Sequence, residues 1–484
     1  MRIRLGLAVA NLAALTFSVL TFSRHGAGFH AYRLDLDVYR IGSLAFLRGG
    51  NLYHGLPPTG SGVALPFTYP PFAAVLLSPL AMVPMTVAAV VVTLASITLT
   101  GVTLREFTRS LSSGPLPAGP WLSIWWLLPV ALVLEPVHST VEYGQVNIVL
   151  LALVALDCLR PDPRWPRGAL TGLAAAVKLT PAAFVLFFLL RRDWRAAATA
   201  AGSFAAATGA AFALDRHDSV QYWTHVVTAT SRPGNPAFAA NQALTGLIAR
   251  AGLDPQARAG MIAWLALSAA VIAVTVPGMR RALAAAEPAW ALSLNAFAAL
   301  LISPISWTHH WVWAEPALLV LAVLAWRHSW RAGPAAVTAG LVTFAVSPAW
   351  LLPSGHDTGL RWTPWEQVAG SPYVIFAAAI LVLSAFTGYR ARPVLVNRDV
   401  HVPAPVREPP GSPHVGAPDA RRALFKPLRL TVARVELTGL AAPDGVPFRA
   451  AGSQVRGAEG WPGPGIGRAR RTDSPPLRGR GNCG

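Results

Sequence analysis

A chain of 484 residues that is 53% hydrophobic and only 13% charged, with its apolar residues gathered in long runs, excludes a soluble fold built from amphipathic stripes. Two cysteines, Cys158 and Cys483, and 12 histidines with no His-Glu-x-x-His or Cys-x-x-Cys spacing supply neither a disulfide framework nor a zinc motif. The formal net charge of +18 does not mark a nucleic-acid partner: roughly half of it lies in the last hundred or so residues, and most of the rest in short loops between apolar runs, where orientation signals belong.

The opening "MRIR" precedes an uncharged run at residues 5–22, with no small-x-small cleavage site before "SRHG". This predicts a retained first helix with its amino end in the cytoplasm and "LDLDVYRI" (34–41) outside. Further runs cover about 71–104, 119–137, 145–159, 196–214, 258–277, 288–302, 311–325, 333–352 and 371–388, most of them near the ~20 residues that span a bilayer. Arg gathers in alternate loops, "LREFTRS", "RPDPRWPR", "RRDWR", "MRRAL" and "WRHSWR", which the positive-inside rule assigns to the cytoplasm. Residues 168–190, "GALTGLAAAVKLTPAAFVLFFLL", lie between two such clusters. They predict a hairpin of short helices or a re-entrant element buried in protein, with Lys178 and Pro181 near its middle. The sum is an all-α, polytopic integral membrane protein of about 10–12 transmembrane or re-entrant helices over residues 1–390. Residues 391–484, rich in Pro, Gly and Arg and without an apolar period, read as a disordered basic cytoplasmic tail.

The outside face then collects residues 23–70, "EPVHSTVEYGQ", 215–257, "SPISWTHH" and a loop at 353–367. Ionisable residues near membrane depth are costly and therefore candidates for function. Asp35 and Asp37 are the first, one presented to a site while the other bonds backbone or Arg40; helix capping and plain hydration are the competing readings. In "LPFTYPPF", Tyr69 precedes Pro70 and Pro71 at interface depth, as an anchor or as a substrate contact. In "EYGQVN", Glu142, Gln145 and Asn147 suit sugar hydroxyls, while Gly144 with Gln145 also reads as a helix start. Lys178 and Lys426 are the only lysines in a chain that otherwise uses Arg. An ammonium inside an apolar hairpin needs a partner, a lipid phosphate or an internal one. His309 and His310, beside Trp307, Trp311 and Trp313, suit either a sugar and phosphate site or an interfacial aromatic belt.

Taken together, "DLDVYR", "GGNLY", "LPFTYPPF", "YGQVNIVLLAL", "GLAAAVKLTPAAFVLFFLLRRDWR" and "SPISWTHHWVW" resemble glycosyltransferase family 87 over roughly residues 1–390. The resemblance implies a GT-C type fold and a mannosyltransferase that uses polyprenyl-phosphate mannose as donor and a mannosylated lipid or lipoglycan as acceptor. It implies a plasma-membrane location with the active site on the extracytoplasmic face. It also implies a base on the first outer loop that deprotonates an acceptor 2-hydroxyl, which inverts the donor to an α-1,2 linkage. The family's Asp-Leu-x-Val-Tyr pattern maps that base onto Asp35, with Asp37 in the variable position; Lys178 matches the lysine of "KLTP", and His309 and His310 match the His pair. No cofactor is implied, and a divalent ion on Asp35 and Asp37 stays open. So do two rival readings: a transporter or flippase, whose charges would sit at the midplane, and a GT-C enzyme using another sugar such as arabinose.

Overall fold

The structure is a computed structural model that describes residues 32–114, 116, 122–229, 232, 234–352 and 362–386. The expected first helix at 5–22, most of the loop at 353–367 and the tail at 391–484 lie outside the described residues. What is described is all-α, as expected, with an isolated bridge between Asn241 and Trp307 and no strand.

Three described helices are long and apolar enough to cross a membrane: Met85–Leu111, Trp194–Leu214 and Arg258–Ala284. Six shorter apolar helices accompany them, including Pro71–Ala81, Asn147–Leu159 and Pro288–Ile302. Several of the apolar runs are interrupted, because proline cuts them. The run at 119–137 is a bent pair, Ile124–Val133 and Glu135–Tyr143, turned by 75° at Leu134, just before Pro136. Pro136 supplies no backbone donor and its ring would clash with the carbonyl four residues back, so the first helix ends and a new one starts at another angle with the proline in its first turn.

The segment at 168–190 is broken in the same way. A helix at Ala169–Val177 ends at Lys178, whose backbone is extended, and a 3-10 turn at Thr180–Phe184 leads into Val185–Leu190. Irregular backbone of this kind survives at membrane depth only where protein or a cavity surrounds it. The first of these helices packs against Trp194–Leu214, and Gly172 makes the approach possible, because a β-carbon there would collide with the carbonyl of Ala200.

The basic loop before this segment is more than an orientation signal. Asp157, fully buried at the end of Asn147–Leu159, accepts from Trp165 Nε1 (3.0 Å), Gly168 N (2.9 Å), Thr171 N (2.9 Å) and Thr171 Oγ1 (2.8 Å). It thereby caps, from a neighbouring helix, the donors that the Ala169–Val177 helix leaves open. Arg167 donates to the carbonyls of Asp157 (2.9 Å), Arg160 (2.7 Å) and Pro161 (2.7 Å), closing the other helix end. Replacing Asp157 with Ala strands these buried donors. We expect Asp157→Ala to destabilise the protein by about 2–4 kcal/mol, read as a lowered thermal midpoint in detergent. Asp157→Asn, which retains an acceptor, should lose less.

Candidate active site

The helix Leu34–Leu47 carries the candidate base. At 14 residues it is not among the apolar membrane helices, and its acidic first turn suits a helix start. Leu36, Tyr39 and Ser43 fall on one buried face by helical spacing. That face lies on Pro71–Ala81: Ser43 Oγ donates to the Ala74 carbonyl (3.0 Å), and Arg40 Nη1 donates to the carbonyls of Leu80 (2.5 Å) and Val83 (2.6 Å). The first turn of the helix meets the "EYGQVN" turn. Gly144 ends the preceding helix with φ +70°, and a β-carbon on it would stand 2.8 Å from Leu36 Cβ. Glycine is needed there for its backbone angle and for the contact that brings Gln145 beside Asp35.

A cavity of about 540 Å³ opens at this junction, lined by Asp35, Tyr69, Gln145, Lys178, His309 and His310 on one side. The break after Val177 delivers Lys178, and a 3-10 turn at Thr308–Trp313 delivers the histidines. Lys178 Nζ donates to Asn147 Oδ1 (3.0 Å) and to His310 Nε2 (3.1 Å), leaving one N–H of the ammonium for a ligand. Tyr39 donates to Gln145 Oε1 (2.5 Å) and Gln145 Nε2 donates to the Tyr69 hydroxyl (3.1 Å), a buried network under Asp35. The carbonyl of His309 is pinned by Thr140 Oγ1 (2.7 Å) and Asn147 Nδ2 (2.9 Å), while its buried Nε2 has no partner among the described residues. Burial pushes the Asp35 carboxyl up to about 6, against the lowering effects of a hydrogen bond from Gln145 and the charge of Lys178.

Seven of the eleven sequence candidates therefore meet at one cavity, Trp307 being the seventh. Asn147 stands behind it, orienting Lys178 and His309. The structure places the other three elsewhere. Asp37 accepts from Tyr32 Oη and Gly60 N (2.8 Å each), which holds the first loop. Arg40 closes the end of Pro71–Ala81 as described, and Glu142 faces His138 at 3.7 Å. Among the described residues, no group of three or more His, Cys, Asp or Glu is placed to hold a metal ion.

The opposite wall went unread in the sequence. Tyr143, Tyr222, Arg232, Phe238 and Trp350 line it, with Phe238 packed edge-on between Trp307 and Trp350, its ring 6.0 Å from each. Arg232 donates to the Tyr53 carbonyl (2.5 Å) and lies over the Tyr53 ring. Tyr143 and Tyr222 lie on helices, Trp350 in a 3-10 turn and Arg232 and Phe238 in irregular backbone, so no shared period or motif flagged them; for Tyr222, Arg232 and Phe238 the signal was the placing of 215–257 on the same face as the other candidates. The loop that carries Trp307 is anchored by fully buried amides. Asn241 Oδ1 accepts from Ser306 N (3.1 Å), and Gln242 N donates to the Ser306 carbonyl (2.8 Å).

Comparison with known proteins identifies the family. Residues 67–304 match glycosyltransferase family 87. The chain is 42% identical over 371 residues, 74% of this chain and 86% of the relative, to a polyprenol-phosphate-mannose-dependent alpha-(1-2)-phosphatidylinositol mannoside mannosyltransferase of Mycobacterium tuberculosis. It is 40% identical over 370 residues, 73% of this chain and 83% of the relative, to the protein of the same description from Mycolicibacterium smegmatis. A polyprenol-phosphate-mannose-dependent alpha-(1-2)-phosphatidylinositol pentamannoside mannosyltransferase of Mycobacterium tuberculosis is 35% identical over 368 residues, 74% of this chain and 81% of that relative. No solved structure shows a significant match. The chain belongs to glycosyltransferase family 87.

Proposed function

We propose that this protein transfers mannose from polyprenyl-phosphate mannose to a mannosylated lipid or lipoglycan acceptor at the outer face of the plasma membrane, forming an α-1,2 linkage with inversion. The observation that carries the reading is the facing of Asp35 and Lys178 into one cavity at the end of broken membrane helices. Asp35 takes the proton of the acceptor 2-hydroxyl as its oxygen attacks the anomeric carbon of the β-mannosyl phosphate. The bond from that carbon to the phosphate oxygen breaks, and polyprenyl phosphate leaves with the electron pair. The remaining N–H of Lys178 meets the charge that develops on the leaving phosphate. His309 Nε2, unpartnered among the described residues, can bond a sugar hydroxyl or the phosphate. Trp307, Phe238 and Trp350 offer apolar ring faces to a sugar. The relatives' printed descriptions support mannose over arabinose. The gathering of the charged groups with an acid and a base partner in one cavity supports an enzyme over a transporter.

Asp35→Asn keeps the shape and loses the base. Transfer of label from polyprenyl-phosphate mannose should fall by about 10²–10⁴-fold at unchanged thermal midpoint, and retained turnover would assign the base elsewhere. Because the carboxylate is the active form, kcat/KM should fall tenfold per pH unit below about 6. Lys178→Ala should raise the donor KM and lower kcat. It should also move that acid limb to higher pH, since the ammonium holds the Asp35 carboxyl down. An acid limb that stays in place would show that the two groups do not communicate.

A further inference from the structure

A second recess, separate from the catalytic cavity, lies on the helix Arg216–Thr224, directly after the membrane-length helix Trp194–Leu214. It measures about 800 Å³ and is lined by His54, Arg216, His217, Val220, Gln221, Thr224 and His225. Positions 216, 220 and 224, with 217, 221 and 225 beside them, form one face of the helix by their four-residue spacing. The other face carries Asp218, Ser219 and Tyr222, all buried, and Tyr222 is a wall of the catalytic cavity. The two recesses therefore share one helix and open at the same end of the same span.

The recess is chemically one-sided. Arg216, His54, His217 and His225 are exposed. Of the two nearby carboxylates, Asp218 is buried and accepts from Leu52 N (2.7 Å) and Asn51 Nδ2 (3.0 Å), while Asp215, half-buried, caps the helix start by accepting from Asp218 N (3.0 Å). Two imidazoles are each held at Nδ1, His217 on Asp218 (3.0 Å) and His225 on Thr224 Oγ1 (2.6 Å), which leaves the Nε2 of each for a ligand. Val220, 45% exposed, adds an apolar contact beside them. A guanidinium and up to three imidazoles around an apolar floor, at the depth where a span ends, suit a lipid phosphodiester better than a neutral sugar.

We propose that this recess seats the phosphodiester of a lipid-anchored acceptor, holding the anchor at the membrane surface while its glycan reaches past the Arg216–Thr224 helix into the catalytic cavity. The proposal rests on the mannosyltransferase reading and adds to it a second binding point, outside the reacting sugars. It implies that acceptors are selected by their phosphate as well as by their terminal mannose.

The test compares two acceptors in neutral phosphatidylcholine nanodiscs: a phosphatidylinositol mannoside, and an alkyl oligomannoside with the same terminal sugar and no phosphate. For Arg216→Gln combined with His54→Gln, the ratio of the first KM to the second should rise about five- to tenfold over wild type, and Arg216→Lys should restore part of it. An unchanged ratio, or both KM values rising together as they would from a structural defect, would overturn the anchor site. So would a shift that appears only when phosphatidylglycerol is added to the nanodiscs, which would make bulk lipid the occupant. Loss of the wild-type preference on adding inorganic phosphate alone would make it a free-phosphate site and would also overturn the proposal. Absence of transfer to either acceptor by the wild type would overturn the mannosyltransferase reading, and this one with it.

Discussion

A carboxylate and an ammonium held against one cavity are the constraint on which the rest of the architecture depends. Each alone would be expensive to take out of water, and each is tolerable because the other faces the same space and because fixed dipoles complete its bonding. Asp35 has Gln145, and Lys178 has Asn147 and His310. The pair and its partners come from four separate segments, around Asp35, Gln145 and Asn147, Lys178, and His310, so the charge pair dictates that these segments meet. The upward push on Asp35 follows from the same burial, and it leaves the carboxyl poised to take a proton near neutral pH.

Delivering those groups requires backbone that ordinary spanning helices cannot supply. An unbroken helix through residues 169–190 would point Lys178 into a neighbouring helix or into lipid. The break ahead of Pro181 instead leaves it on an extended stretch at the cavity wall. The turn at Gly144 and the 3-10 turn bearing His309 and His310 serve the same end. Each irregularity sits where protein surrounds it, and the freed backbone groups are taken up locally, the His309 carbonyl by Thr140 and Asn147 among them.

Several arginines do double duty. Arg167 belongs to a loop whose charge reads as a topology signal, yet its guanidinium closes the end of a helix. Arg40 stands just over one turn from Asp35, and its donors go to backbone carbonyls that position the helix carrying the candidate base. A five-donor planar group suits this work, since the open carbonyls of a helix end come in clusters.

The amino-acid sequence by itself determined the class of the protein, because long apolar runs and asymmetric arginines are one-dimensional consequences of the bilayer and need no contacts to be read. It also determined which residues were worth suspecting, since a lysine in an apolar segment of an Arg-using chain, or a carboxylate at a membrane surface, carries its cost on its face. Only the tertiary structure decided between Asp35 and Asp37 as the group that faces the cavity. Two residues along a helix is a rotation of about 200°, so the neighbour points away and is spent on Tyr32 and Gly60. The same holds for Arg232, Phe238 and Trp350, which lie in irregular backbone or a 3-10 turn with no period to announce them and reach the cavity only through long-range packing. The number of uninterrupted spans was likewise beyond hydropathy, which reports how apolar a run is and not whether a proline has bent it.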